Sequence, residues 1–143
     1  MRTTPILAAA AALLLLTGCG GSGNQSAPTS DEARECIDVP AEIMARIAEG
    51  ANDYPIEPVA AAGVRSLSFD DATIIAMTFT SPDGEESTGA WAIGGTVDAP
   101  GMTLAVDAMA QTVTDWPGEV KGKKLDVTED GVAEATSCLS NAG

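Results

Sequence analysis

The chain has 143 residues, with 21 carboxylate side chains, 7 basic ones and no histidine. So acidic a surface excludes nucleic acid as a natural partner, because binding there is led by cationic contacts to phosphate. The lack of histidine removes Ser-His-Asp and Cys-His catalysis and any histidine-based zinc site. Only five aromatic residues are present (Tyr54, Phe69, Phe79, Trp91 and Trp116), so a core must be built mainly from Ile, Leu, Val, Met and Ala.

Met1-Arg2 is a short positive start, and Ile6 to Leu16 is an unbroken apolar run of 11 residues. A membrane-spanning helix needs about 20 residues, so the run suits the central region of a signal peptide. Leu16-Thr17-Gly18-Cys19 follows directly. This tetrapeptide resembles the lipobox of bacterial lipoproteins; the resemblance covers only the leader and Cys19. It implies that the Cys19 thiol receives a diacylglyceryl group, that residues 1–18 are removed, and that lipid holds the protein on the extracytoplasmic face of the cell membrane. The Ala-rich, acidic, lysine-poor composition is similar to that of small lipoproteins of high-GC actinobacteria.

Removal of Arg2 with the leader leaves 6 basic against 21 acidic side chains, a balance of −15. Anionic head groups repel such a surface, so the acyl chains must supply the attachment. The acidity by itself serves solubility. Residues 20–33 carry no large apolar side chain and cannot bury enough surface to offset their ordering entropy. Residues 19–33 are therefore expected to be the lipidated cysteine and a flexible tether, and residues 34–143 a single domain of about 110 residues with one core.

Within that domain, Asp38 and Pro40 read as the start of a helix over about 39–49, with Ile43 and Ile47 on its apolar stripe and Gly50 as its stop. Pro55 and Pro58 favour an extended connection. From Gly63 the period becomes two, and Arg65, Leu67 and Phe69 share one strand face. After a polar turn at Asp70-Asp71-Ala72, a second strand over about 73–81 sets Ile75, Met77 and Phe79 against Ile74, Ala76 and Thr78. Ser81-Pro82-Asp83-Gly84-Glu85 is a turn. A third strand over about 87–97 carries Trp91 and Ile93 on one face, with a bulge or close backbone approach at Gly94-Gly95. Ala99-Pro100-Gly101 is expected to break the sheet. Met102, Val106, Met109, Val113 and Trp116 then recur at helical spacing and predict an amphipathic helix over 102–116. Leu125 and Val127, after the basic cluster Lys121-Gly122-Lys123-Lys124, suggest a short edge strand, and Thr128 or Asp130 caps a last helix over about 130–140. The expected architecture is α+β, a three- to four-stranded antiparallel meander packed against two or three helices.

Cys36 and Cys138 remain after lipidation of Cys19. Outside the cytoplasm a lone pair reads as a disulfide, here tying the segment before the first helix to the last helix. Their spacing of 102 positions is unlike a redox or zinc motif. No phosphate-binding glycine loop and no cofactor motif is present. Carboxylates cluster at Asp70-Asp71, at Asp83 with Glu85 and Glu86, and at Glu129-Asp130, each in an expected turn where acidic residues are common. Turn chemistry is their simplest role. Calcium needs several convergent oxygens and a loop spacing that these segments lack, so no metal site is assigned. Trp91 and Trp116 read as core, and the lysines at 121–124 as a solvated loop rather than a phosphate or head-group contact. The functional expectation is a lipid-anchored binding or interaction module, not an enzyme, with a protein or small-ligand partner besides the membrane. The alternative is a small cell-envelope hydrolase using paired carboxylates such as Asp70 and Asp71.

Overall fold

The computed structural model describes residues 34–143; the leader, Cys19 and the expected tether lie outside the described residues. Five strands form one antiparallel sheet in chain order: β1 (Ile37–Asp38), β2 (Glu57–Arg65), β3 (Ala72–Thr80), β4 (Glu86–Thr96) and β5 (Ala99–Ala105). Helix α1 (Ala41–Glu49) joins β1 to β2, and α2 (Ala108–Val113) follows β5. A separate hairpin of β6 (Glu119–Val120) and β7 (Lys123–Lys124) leads to α3 (Val132–Asn141). The fold is α+β, with five strands in the main sheet instead of three or four.

The alternation read in the two central strands is what the register uses. Ile75 lies opposite Trp91 and Ile74 opposite Ala92, so each face receives its own apolar set. Ile75, Met77, Phe79, Trp91 and Ile93 are all fully buried on one face with Ile43 and Ile47 of α1. Phe79 and Trp91 meet edge-to-face at 6.1 Å. Ile74, Ala76, Ala90 and Ala92 point the other way, toward Val132, Ala135 and Cys138 of α3. The sheet is therefore covered on both faces, by α1 and α2 on one side and by α3 and the hairpin on the other.

Several expected boundaries move. Asp38 belongs to β1, and α1 begins after Pro40, which caps it without a side-chain hydrogen bond. The chain from Glu57 onward is strand, six residues earlier than the period suggested, and Pro58 is tolerated because β2 pairs only with β3 there. Leu67 and Phe69 fall beyond β2 in the connection to β3, and Leu67 is 78 % exposed. The turn at 81–85 stands as expected, closed by the Gly84 N–H donating to the Ser81 carbonyl at 2.8 Å. So does the irregularity at the glycine pair: the β4–β5 register shifts between Ile93 and Gly95, and Gly95 has φ +85°.

The helix expected over 102–116 is the main correction. Ala99-Pro100-Gly101 opens β5 instead of breaking the sheet, and Met102, Thr103 and Leu104 continue that strand. Only Ala108–Val113 is helical, capped by Asp107, whose carboxylate accepts from the Ala110 N–H at 2.8 Å. The physical reason is the outer edge of β4, whose N–H and C=O groups need partners. A short turn at Val97-Asp98 brings β5 back to supply them. Pro100 fits because β5 is the last strand, with one side free of ladder bonds. Leu125 and Val127 do not form the expected edge strand either; the pairing lies in β6 and β7, and Leu125 is buried.

Cys36 and Cys138 form the disulfide, with Cα atoms 5.7 Å apart. It joins the residues before β1 to α3, closing 102 positions of chain.

Candidate functional site

α3 lies over β2 and β3 and leaves the same face of β4 and β5 to the β6–β7 hairpin. Between sheet and hairpin is a cleft of about 240 Å³. Its floor is apolar: Ile74, Ala92, Met102 and Leu104. Val120, Lys121 and Leu125 form the wall opposite, and Phe69, Asp70 and Asp71 close one end. Met102 remains 64 % exposed although Thr103, next to it on the strand, is buried.

The wall is held in place by polar contacts at both ends. Val120-Lys121-Gly122-Lys123 is a two-residue hairpin turn in which both central residues have positive φ, +50° at Lys121 and +77° at Gly122. Lys123 of β7 donates to the Glu129 carboxylate at 2.8 Å and stands 5.7 Å over the Phe69 ring. Gln111 of α2 donates from Nε2 to the Val106 carbonyl at 2.9 Å and the Leu125 carbonyl at 3.1 Å, joining helix, sheet end and hairpin. The Leu125 N–H donates to the Gly118 carbonyl at 2.9 Å. A cleft so braced is pre-formed, as ligand pockets commonly are.

Three features singled out in the sequence meet here: Asp70-Asp71, Glu129 and Lys121 all line this cleft. Asp71 is turned to Arg65 at 3.4 Å, and Glu129 is buried against Lys123. Asp130 points away from the cleft. It pairs with Arg34 and accepts from Ser66 Oγ at 3.1 Å and the Leu67 N–H at 2.6 Å. Partial burial pushes the Asp130 carboxyl up, but the Arg34 hydrogen bond and the Leu67 and Ser68 N–H groups outweigh it and hold it down at about 2. Arg34 is raised in turn, first by its hydrogen bond to Asp130.

The remaining carboxylates lie elsewhere. Asp83 lines a second, more open cleft of about 500 Å³ with Asn52, Asp53, Tyr54 and Thr112, and its carboxylate accepts from the Glu85 N–H at 3.2 Å, the turn role expected of it. Among the described residues, no group of three or more His, Cys, Asp or Glu side chains is placed to hold a metal ion. Trp91 is core, as read, and donates to Thr114 Oγ1 at 3.3 Å. Trp116 is half-buried beyond α2, where its Nε1 donates to the Ile47 carbonyl at 3.0 Å and satisfies the end of α1.

Known families, curated proteins and solved structures provide no significant match. The cleft must therefore be interpreted from its own chemistry. Sequence reasoning did not find it, because half of its floor comes from β5, a segment with helical spacing, and its wall from a hairpin only two residues long on each side. The one signal available was Lys121-Gly122, a pair able to take the positive φ angles that a tight hairpin turn requires.

Proposed function

We propose that this protein is a lipid-anchored binding module on the extracytoplasmic face of the cell membrane, and that its ligand enters the cleft between the main sheet and the β6–β7 hairpin. The anchor half of the reading rests on the resemblance of Leu16-Thr17-Gly18-Cys19 to a lipobox. The binding half rests on one observation: an apolar patch of sheet that no helix covers, walled by a braced hairpin. A cavity of about 150 Å³ takes up benzene, so 240 Å³ suits an apolar group somewhat larger. The hydrolase alternative needs two acidic groups facing one substrate, and Glu129, buried against Lys123, is engaged elsewhere.

Cross-linking with mass spectrometry on intact cells tests the anchored half, with Cys19→Ala as the control that lacks lipid. The expected outcome is a partner or ligand captured only when Cys19 is present. Turnover of a cell-envelope substrate by the purified protein, with a bell-shaped pH–rate profile, would replace this reading by the hydrolase.

A further inference from the structure

We infer that the open cleft beside Tyr54 is a second binding site, for a small amine that carries its positive charge on an apolar body. It is separate from the cleft between sheet and hairpin and does not depend on it.

This cleft measures about 500 Å³, a volume usual for small-molecule sites. Hydrogen bonds fix both of its walls. On one side, Asn52 donates from Nδ2 to the Thr112 carbonyl at 2.7 Å and accepts from the Asp53 N–H at 2.8 Å. The Asn52 N–H donates to the Val113 carbonyl at 3.2 Å. Asn52 and Asp53 are thereby pinned to α2, and Pro55 stiffens the path from Tyr54 to β2. On the other side, the turn at 81–85 is closed twice, by the Gly84 N–H on the Ser81 carbonyl and by the Ser81 N–H on the Glu85 carbonyl at 2.9 Å.

The lining combines apolar surface with negative charge. Ile56, Pro82 and Val113 offer apolar contact, and Tyr54 is 67 % exposed. A tyrosine ring left this open can pack on an apolar body and receive a cation on its face. Asp53 and Asp83 supply the charge. Asp53 has no ion-pair partner among the described residues, and Asp83 uses only Oδ1 on the Glu85 N–H.

No basic residue opposes this sign. Neither lysine nor arginine lines the cleft, and none lines the adjoining pocket of about 320 Å³ that shares Ser81 and Pro82 and adds Glu57. Arg65 ends β2 about 27 Å from Glu57 at the rise of a strand, and it donates to the Gly95 carbonyl at 2.8 Å. Arg46 is spent on the Gly101 carbonyl and on Thr103 Oγ1, and Arg34 on Asp130. The lysines belong to the hairpin, whose Val120 and Leu125 pack on the opposite face of the sheet. Charges beyond about 8 Å are largely screened at physiological ionic strength. A carboxylate ligand is therefore repelled, a neutral one gains only the apolar contact, and an amine gains both.

The test is nuclear magnetic resonance at pH 7 on ¹⁵N-labelled protein from residue 19 onward, oxidised and carrying Cys19→Ala. The ligands 3-phenylpropylamine, 3-phenylpropanol and 3-phenylpropanoate share one apolar body and differ in charge. Saturable shifts are expected at the amides of Asn52, Asp53, Tyr54, Gly84 and Val113, with the amine the tightest ligand and the propanoate the weakest. Asp53→Asn combined with Asp83→Asn keeps an oxygen for the Glu85 N–H. It should weaken the amine about fivefold and leave the alcohol unchanged. Tyr54→Leu keeps apolar bulk at an exposed position and should weaken the amine about threefold. An amine no tighter than the propanoate, or an unchanged amine affinity in either variant, overturns the assignment. So do shifts that never saturate and spread to Asp98 and Glu119, which would show only general attraction to an acidic chain. Magnesium giving the same shifts at the same affinity would make the ligand an inorganic cation and overturn the amine. No shift with any of the three overturns the site. These amides are distinct from those of Gly94, Leu104 and Lys121 at the other cleft, so either site can fail while the other stands.

Discussion

Asp130 shows how one side chain can join three segments distant in sequence. Its carboxylate accepts from Arg34 at the start of the described chain, from Ser66 Oγ, and from the Leu67 and Ser68 N–H groups of the β2–β3 connection. Its carboxyl is held at about 2 against an ordinary value of 3.8. A carboxyl depressed in the folded state binds its proton more readily in the unfolded chain. The stability it contributes is therefore complete above about pH 4 and is lost as the pH falls toward 2. Allowing for solvent screening, the contribution is about 1–2 kcal/mol. Urea unfolding of the protein and of Asp130→Asn should give curves that differ by about this amount at pH 6 and converge near pH 2; a constant gap would contradict the assignment. Gly89 tests packing in the same way. A Cβ there would stand 2.6 Å from the Trp91 ring, which lies over this position on the buried face of β4. Gly89→Ala should cost about 1–3 kcal/mol and change the near-ultraviolet circular dichroism of Trp91. An unchanged spectrum and midpoint would mean that the ring can move aside.

At the scale of elements, β3 and β4 were legible because each places apolar residues on both faces at a strict period of two. Their register then follows from pairing like sets. α3 was legible for a similar reason, since Val132, Ala135 and Cys138 fall on one stripe and all three are buried. Residues 99–116 misled because Met102, Val106, Met109 and Val113 fit a helical period while falling in a strand, in the connection after it and in a short helix. Met102 and Met109 stay exposed, Val106 packs with the α3 side, and Val113 packs with the α1 side. The disulfide belongs to this scale as well, because it fixes α3 against the segment entering β1. Cys36→Ser with Cys138→Ser should lower stability by about 2–4 kcal/mol, read as an earlier urea midpoint. Reducing agent should reproduce that shift in the unaltered protein and have no effect on the double variant. A shift in the variant without one on reduction would point to lost packing at Cys138 instead of the cross-link.

The whole molecule is a three-layer arrangement whose two cores are unequally covered. The α1–α2 side is closed by Trp91, Ile47 and Phe79, all inaccessible. The α3 side is closed over β2 and β3 by the helix and over β4 by the hairpin, and leaves a cleft where Met102 of β5 is exposed. Among the described residues no helix is long and apolar enough to cross a membrane, and the proposed attachment lies entirely in Cys19. Metabolic labelling with a palmitate analogue should mark the protein and fail to mark Cys19→Ala. Equal labelling of both would remove the lipid anchor, while the cleft would keep its chemistry.

What the sequence determined by itself was local or pairwise. It held the alternation of the central strands, the turn at 81–85, the irregularity at Gly94-Gly95, and a disulfide between Cys36 and Cys138. Each of these is a matter of a few residues or of a single pair. The fifth strand, the covering of both sheet faces and the cleft were decided only in three dimensions. The unpaired edge of β4 requires a partner strand whatever the spacing of that strand's apolar residues, because a buried N–H or C=O without a partner costs more than a poorly phased stripe. The cleft in turn is the area of sheet left over once α3, tied down by its disulfide, covers only β2 and β3.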